Sequence, residues 1–354
     1  MQIALDLAKK GMHTAKPNPR VGCIVVSENK IVGQGWHRQT GEAHAEAIAL
    51  SEAGDKAKDS TVYSTLEPCT HFGQTPPCVE ALIAAAVGKV VYAMEDPNPV
   101  VSGQSRKILE SAEIEVISGV LSQESKDLNI GFNKRMKYGL PYIRTKIAAS
   151  IDGKTALRNG ESQWISSQQS RDDVQLWRAR SCALVTSIDT VIADDPSLNV
   201  RINDFSDIDQ PTRVILDSQL RIRGDYKILK SPGDVIVYSL QQVHNDPIFE
   251  GMIENTNERD GHVSLESVFR DLAKKEINEV MFECGGTLNG ALLKQNFIDE
   301  IIIYLAPCIL GDQANNMFSL PAISAMSERY NFNLIQVDRT GDDIRVILRK
   351  ANPV

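Results

Sequence analysis

Apolar residues recur along this chain with two alternating periods, one helical and one extended. Ala4, Leu7 and Ala8 share one face of a predicted helix over Ile3–Gly11, and Gly11 supplies its stop. Pro17-Asn18-Pro19 marks a turn. Val21–Ser27 and Ile31–Gly35 read as hairpin strands joined across Ser27-Glu28-Asn29-Lys30. The pattern then predicts a helix over Ala43–Ala53, a strand over Thr61–Thr65 and a helix over Cys78–Val87. A strand over Lys89–Met94, a helix over Gln104–Ser111 and a strand over Ile114–Ile117 follow. Helices alternating with short strands imply an α/β sandwich with a largely parallel sheet.

Gln123–Gly139 is charged and helix-prone, and Gly139-Leu140-Pro141 punctuates its end. The boundary belongs there, giving domains 1–140 and 141–354. A second alternation opens with a strand over Tyr142–Ala148 and a Ser-capped helix over Ser167–Arg180. Strands are expected at Ala183–Thr186, Val214–Leu216, Asp234–Ser239 and Glu279–Glu283, with helices at Leu265–Lys275 and Leu288–Gln295. Glu300–Leu305 is an apolar run of the buried-strand kind. Ile335–Val337 and Ile344–Leu348 form a terminal hairpin around Thr340-Gly341-Asp342-Asp343. Gln241–Asp260 is the most loop-like stretch and carries no assigned function. No repeat or low-complexity tract interrupts this plan.

Composition narrows the class. The 354 residues suit two domains at roughly 150 residues each. With 42% hydrophobic and 24% charged residues, disorder and coiled coil are excluded. No apolar run nears the roughly 18 residues of a spanning helix, so no membrane partner is expected. Lys9 and Lys10 follow the first apolar residues instead of preceding them, the wrong order for a signal peptide, which points to the cytoplasm. A net charge of −8 opposes nucleic acid as the main partner. The six cysteines are too few for a disulfide scaffold and favour metal or thiol roles.

Those ligand types gather early in the chain. His44-Ala45-Glu46 is followed by Glu67-Pro68-Cys69 and then Cys78. One imidazole and two thiolates suit zinc and leave a fourth position open for water, whose pKa the metal lowers. Glu46 reaches that water without ligating and serves as general acid–base. Cys69 and Cys78 lie before or at helix starts, where the dipole favours thiolate. His-x-Glu with Pro-Cys and a later cysteine is the zinc deaminase signature, although Thr70 to Pro77 lengthen the usual gap. A structural zinc completed by Cys23, His37 or His71, and plain core cysteines, remain open on spacing alone. Cys23 itself reads as a buried small hydrophobe. In the second domain, Val280-Met281-Phe282-Glu283 runs into Cys284-Gly285-Gly286-Thr287 and a helix, a turn that admits a phosphate but does not establish a cofactor.

The run Glu67-Pro68-Cys69-Thr70-His71-Phe72-Gly73-Gln74-Thr75-Pro76-Pro77-Cys78 makes the gap specific. With Asn18-Pro19, Val21-Gly22 and Asp96-Pro97-Asn98-Pro99, it resembles the deaminase half of the bifunctional riboflavin-biosynthesis deaminase–reductases. Lys146 to Lys154, Ser162-Gln163-Trp164-Ile165-Ser166, Thr190 to Arg201 and Glu283 to Thr287 resemble the reductase half. The resemblance spans about Ala4 to Leu310. It implies a cytidine-deaminase-like α/β/α sandwich followed by a dihydrofolate-reductase-like α/β domain.

The implied substrate is a small-molecule pyrimidine ribosyl phosphate, 2,5-diamino-6-(5-phosphoribosylamino)pyrimidin-4-one. It would be deaminated hydrolytically with one Zn2+, then reduced by NADPH at C1′ to the ribityl phosphate. The implied metal ligands are His44, Cys69 and Cys78, with Glu46 catalytic. Asn18, His37, Gln74, Asp96 and Asn98 would line the deaminase pocket. Gln74 stands where many relatives carry Lys or Arg, and a neutral amide grips a phosphate less strongly. NADPH would meet Ala148, Trp164, Thr190, Asp194 and the turn and helix Gly285, Gly286, Thr287, Leu288, Asn289, Gly290 and Ala291. The reductase substrate would meet Lys146, Ser162, Arg178, Asp195, Leu198, Arg201 and Glu283. Arg178 and Arg201 would clamp its phosphate by forked hydrogen bonds. Ser187 replaces a common glycine, which bears on the local backbone. Family habit implies a homo-oligomer. The competing readings are a deaminase with a silent second domain, a nucleic-acid-editing protein and a non-enzymatic zinc module.

Overall fold

The computed structural model describes residues 1–70, 76–98, 102–202, 208–241, 249 and 251–351. It divides into two compact units, Met1–Leu140 and Pro141–Val354.

The first unit contains α1 (Gln2–Lys9), β1 (Gly22–Ser27), β2 (Lys30–Trp36), α2 (Ala45–Ala53), β3 (Thr61–Leu66), α3 (Cys78–Ala84), β4 (Lys89–Met94), α4 (Gln104–Ser111), β5 (Glu115–Ser118), α5 (Ser122–Leu128) and α6 (Ile130–Tyr138). The strands form one sheet in the order β2-β1-β3-β4-β5. Ser27 pairs with Lys30, and Glu28 and Asn29 take φ of 49° and 61°, the left-handed pair of a two-residue hairpin turn.

The sheet is mixed, not largely parallel as expected. β1 runs antiparallel to both β2 and β3, and only β3, β4 and β5 are mutually parallel. The cause is the hairpin: the α2 crossover carries β3 past β2 to pair with β1, leaving β1 between two strands of opposite sense.

Three layers result. Cys23, Val25, Val62, Val90 and Tyr92 pack against Ala45, Ala49, Val79, Leu82 and Leu109 from α2, α3 and α4. Gly22 faces the other side of the pleat and lies under Ala4 of α1, where Leu5, Ala8 and Leu128 form a smaller cluster. The start of α2 lies flat on β2, because a Cβ on Gly35 would fall 2.4 Å from the Ala45 carbonyl oxygen. That close approach fixes where His44 and Glu46 stand.

The second unit begins with β6 (Tyr142–Ser150), β7 (Lys154–Ala156), α7 (Gln168–Arg180), β8 (Ala183–Ser187), α8 (Ile188–Asp194), β9 (Thr212–Leu216), α9 (Lys227–Lys230), β10 (Val235–Ser239) and β11 (Ile253–Asn255). It continues through β12 (Glu258–Arg259), β13 (His262–Val263), α10 (Leu265–Lys274), β14 (Glu279–Phe282), α11 (Gly286–Lys294), β15 (Glu300–Ala306), β16 (Asn315–Asn316), β17 (Phe332–Thr340) and β18 (Asp343–Lys350). The main sheet has the order β11-β10-β9-β8-β14-β6-β15-β18-β17. Neighbours from β11 to β15 are parallel, and β18 and β17 close the edge antiparallel as the expected terminal hairpin.

The stretch expected to be most loop-like holds two short strands, β11 and β12. β11 pairs with β10 at the sheet edge, too short to show alternation in sequence, while 242–248 and 250 lie outside the described residues. Helix α8 is also unannounced by periodicity. Ser187 caps it, with extended φ of −92° and its hydroxyl accepting from the Thr190 N–H, so no glycine is required there.

Every residue of β14 is buried. Near the starting ends of the central strands, fully buried Arg144 meets Glu300 through Nε at 2.5 Å and Glu279 through Nη2 at 3.2 Å. Arg180 and Arg349 complete the pairing of these carboxylates. Paired in this way, the buried charges are satisfied. The opposite, carboxyl ends of the strands are where open α/β sheets place their ligands.

Candidate functional site

In the first unit the ends of two helices and one strand converge. His44 is the residue before α2, with extended φ of −70°, and Cys78 is the first residue of α3. Cys69 lies in the chain leaving β3. Nδ1 of His44 is 3.2 Å from Cys78 Sγ and 3.5 Å from Cys69 Sγ. The Cys78 N–H, an unpaired donor at the start of α3, donates to Cys69 Sγ at 3.2 Å. The three ligand atoms lie within 4.8 Å of one another, which fits one tetrahedral zinc with a position to spare.

Electrostatics agree with that donor set. Cys69 is pushed down to about 4, first by its hydrogen bond with Cys78 and, against the opposing effect of burial, by His44. Cys78 is pushed up, by Cys69 and then by burial. His44 is raised by its bond to Cys69. Of the two thiols Cys69 is the one that gives up its proton first, and a cation bound there would displace the proton of the other. Glu46 is 3% exposed; its Oε1 accepts from Ser64 Oγ at 3.0 Å and its Oε2 lies 3.5 Å from Cys78 Sγ. Burial raises its carboxyl above the ordinary value. Such a group takes up and returns a proton near neutral pH more readily than an exposed carboxylate.

Asn18 and His37 are brought beside this cluster. Asn18 Nδ2 is 3.1 Å from His37 Nε2, and the His37 ring stands edge-on to His44 at 5.6 Å between centroids. Burial lowers the His37 pKa. Asp96 and Asn98 follow β4; the Asn98 N–H donates to Asp96 Oδ1 at 2.8 Å. Gln74 lies outside the described residues, together with His71, Phe72, Gly73, Thr75 and Pro99. Cys23 is wholly buried in the core. Two contributors escaped sequence reading: Ser64, which holds Glu46, and Glu67, whose only sequence signal is its place before Pro68-Cys69.

In the second unit a charged cluster forms at the carboxyl ends of the strands. Glu283, just beyond β14, meets Lys146 Nζ at 3.1 Å and Arg178 through Nε at 2.6 Å and Nη2 at 3.1 Å. Arg178 Nη1 donates to the Asn199 carbonyl at 3.0 Å, and Arg201 Nη1 to Asn199 Oδ1 at 2.7 Å. Burial alone would raise the Glu283 pKa, but Arg178 and Lys146 outweigh it and hold the carboxyl well below the usual range. Asp194 is raised by burial against the pull of Lys146. The fork of Arg178 thus grips Glu283, where a substrate phosphate was expected.

Other expected residues have other neighbours. Asp195 turns to α9, accepting from Lys227 N–H at 2.8 Å. Leu198 packs in the core with Ile188, Val191 and Ile215. Ala148, Ser162 and Thr190 are half-buried. Trp164 is 71% exposed, with the Arg171 guanidinium 4.7 Å from its ring centre. Asn289 is fully buried: its Oδ1 accepts from Thr145 Oγ1 at 2.6 Å and its Nδ2 donates to Cys284 and Met317 carbonyls. Gly286 and Gly290 lie under the crossing chain, where a Cβ would fall 2.3 Å from the Asn316 carbonyl oxygen and 2.0 Å from that of Ser319. Gly285 caps α11 with open space where a Cβ would stand, and Thr287 is exposed, Leu288 and Ala291 half-buried. An open glycine at a strand-to-helix turn fits a phosphate of NADPH.

Fold and site together define a zinc-dependent deaminase unit joined to an NADPH-dependent reductase unit. Residues 1–94 match the cytidine and deoxycytidylate deaminase zinc-binding region, and residues 141–346 match the RibD C-terminal domain. The riboflavin biosynthesis protein RibD of Escherichia coli is 43% identical over 97% of this chain and 96% of its own. A RibD structure from Acinetobacter baumannii superposes with a TM-score of 0.93 at 42% identity, covering 99% of this chain and 98% of that one. A deaminase/reductase structure from Thermotoga maritima gives 0.88 at 31% identity, covering 99% and 97%. The chain belongs to the RibD family of bifunctional deaminase–reductases.

Proposed function

We propose that the chain deaminates 2,5-diamino-6-(5-phosphoribosylamino)pyrimidin-4-one in residues 1–140 and reduces the product's ribosyl group in residues 141–354, two consecutive steps toward riboflavin. The observation that carries this reading is Glu46, buried and 3.5 Å from a thiol of the His44, Cys69 and Cys78 cluster. Zinc, when bound by those three residues, makes water acidic enough to attack near neutral pH. Glu46, steadied by Ser64, takes the water's proton and passes it to the leaving amine. Asn18, His37, Asp96 and Asn98 hold the pyrimidine, and a neutral amide at position 74 would give its phosphate a weaker contact than a cation.

In the second unit NADPH supplies the hydride, seated at Ala148, Trp164, Thr190, Asp194 and the Gly285 to Ala291 turn and helix. Asn289 acts there through its hydrogen bonds to the chain. Lys146 and Glu283 face the sugar, and Arg201 takes the phosphate, with Arg178 setting Glu283. Ser162, Asp195 and Leu198 complete the substrate walls. Holding nicotinamide and C1′ in reacting geometry is the protein's share of this step.

The partner is a small molecule, with neither nucleic acid nor membrane. No helix among the described residues is long and apolar enough to cross a membrane. Six free cysteines suit a reducing cytoplasm. A second copy of the chain covers the β17 edge, where Leu334, Ile335 and Val337 are exposed.

A coupled assay tests the reading: zinc-quantified protein receives the diaminopyrimidine substrate and NADPH while ammonia and absorbance at 340 nm are followed. Both signals, reduction waiting on ammonia release, are expected. Ammonia alone would leave a silent second unit. Neither signal from folded, zinc-loaded protein would sink the proposal. Light scattering tests the assembly, and a monomer at assay concentration would remove it.

A further inference from the structure

Glu67 is 2% exposed and stands in the chain between the end of β3 and Cys69, one of the residues that would hold the zinc. Both of its oxygens are used. Oε2 accepts from the Asp96 N–H at 3.1 Å and the Gly103 N–H at 3.1 Å. Oε1 accepts from the Ser105 N–H at 3.2 Å and Ser105 Oγ at 2.7 Å. Its own N–H donates to the Met94 carbonyl at 2.9 Å, locking it to the end of β4.

The helix that begins at Gln104 shows why a carboxylate is needed. Its cap residue is Gly103, with no side chain to accept, and its first turn holds no acidic residue. A helix start has unpaired N–H groups and a positive end. Glu67 supplies the missing acceptor from the chain just beyond β3 and binds the Gly103 and Ser105 N–H groups. The same carboxylate reaches the Asp96 N–H at the head of the substrate loop. One side chain therefore bridges the segment carrying Cys69 and the loop carrying Asp96 and Asn98.

We propose that Glu67 is a positioning residue of the deaminase site, setting the Asp96–Asn98 loop at a fixed distance from the metal ligands. The inference rests on the reading that this loop holds the substrate. Glutamine has the same shape but turns an NH2 toward backbone N–H donors, so one oxygen's pair of bonds becomes a clash of donors. A displaced loop moves Asn98 without moving His44, Cys69, Cys78 or Glu46. A shift of about 1 Å costs on the order of 100-fold in rate.

The test compares Glu67→Gln, Asn98→Ala and the double variant as zinc-quantified full chains. Expected for Glu67→Gln are full zinc content, unchanged reduction of separately supplied deaminated substrate, and a deaminase kcat/KM lower by about 10- to 100-fold, mostly in KM. Hydrogen exchange at the Asp96, Gly103 and Ser105 amides should accelerate. The double variant should fall below Asn98→Ala by less than the full Glu67→Gln penalty, since part of that penalty acts through Asn98 and the rest through Asp96.

Wild-type kcat/KM in Glu67→Gln, penalties that multiply, or loss of zinc would each overturn the positioning role. An Asn98→Ala variant with wild-type kinetics would instead overturn the substrate-loop reading. If Glu67→Gln does not fold, Ser105→Ala removes one of the four bonds and should show a smaller loss in the same direction; no loss there overturns the proposal.

Discussion

Glu46 is a buried carboxylate and Glu283 a half-buried one, and their neighbours send them opposite ways. Around Glu46 burial dominates and outweighs the pull of His44, with Cys69 adding to the rise, so its affinity for a proton rises. Around Glu283 the charges of Arg178 and Lys146 overcome burial, and it stays ionised. Replacing Glu46 by Gln should lower deamination by about 100- to 10,000-fold while zinc content and reduction hold, as metal analysis and separate assays would show.

For Glu283 the pKa is depressed on folding, so its contribution to stability is complete above the unfolded value of about 4.3 and is lost as pH falls through the folded value. Thermal melts of the second unit should therefore fall between pH 5 and acid. Glu283→Gln should begin lower at pH 7 and lose less across that range. Parallel curves for the two proteins would contradict the assignment.

At the scale of elements, helix starts carry much of the chemistry. α2 presents His44 and Glu46, α3 presents Cys78 and an N–H to Cys69, and α11 opens on Gly285. Each position is set by packing elsewhere on the element. For α11 the determinant is the crossing chain at 316–319. Gly290→Ala should cost about 1–3 kcal/mol of second-unit stability in chemical denaturation, because its Cβ meets the Ser319 carbonyl oxygen. Gly285→Ala, with open space at that point, should change stability by less than about 0.5 kcal/mol and raise the KM for NADPH instead. Equal stability losses in both variants would show that the glycines are not distinguished in this way.

Across the whole molecule the two chemistries sit in separate compact units, and among the described residues the His/Cys/Cys group that could hold a metal lies in the first. Chelating the zinc should end ammonia release and leave NADPH oxidation on pre-deaminated substrate intact, with readdition of zinc restoring the first activity.

The His44, Cys69 and Cys78 group was legible in the chain as a candidate because its donor types suit zinc and the family resemblance made the long gap specific, and the structure brings the three side chains together. The alternation of periods likewise displayed most helices and strands, since burial of one face is written into neighbouring residues. The tertiary structure alone decided three things. It made the first sheet mixed, because strand pairing follows the path of a crossover and not local pattern. It placed Arg178 on Glu283 and Glu67 on Ser105, pairs that are 105 and 38 positions apart in the chain. It also ordered β11 and α8, whose few residues carry too little periodicity to read. Periodicity and ligand type are properties of adjacent residues. Charge pairing, capping from a distant residue and sheet order exist only once separated segments meet.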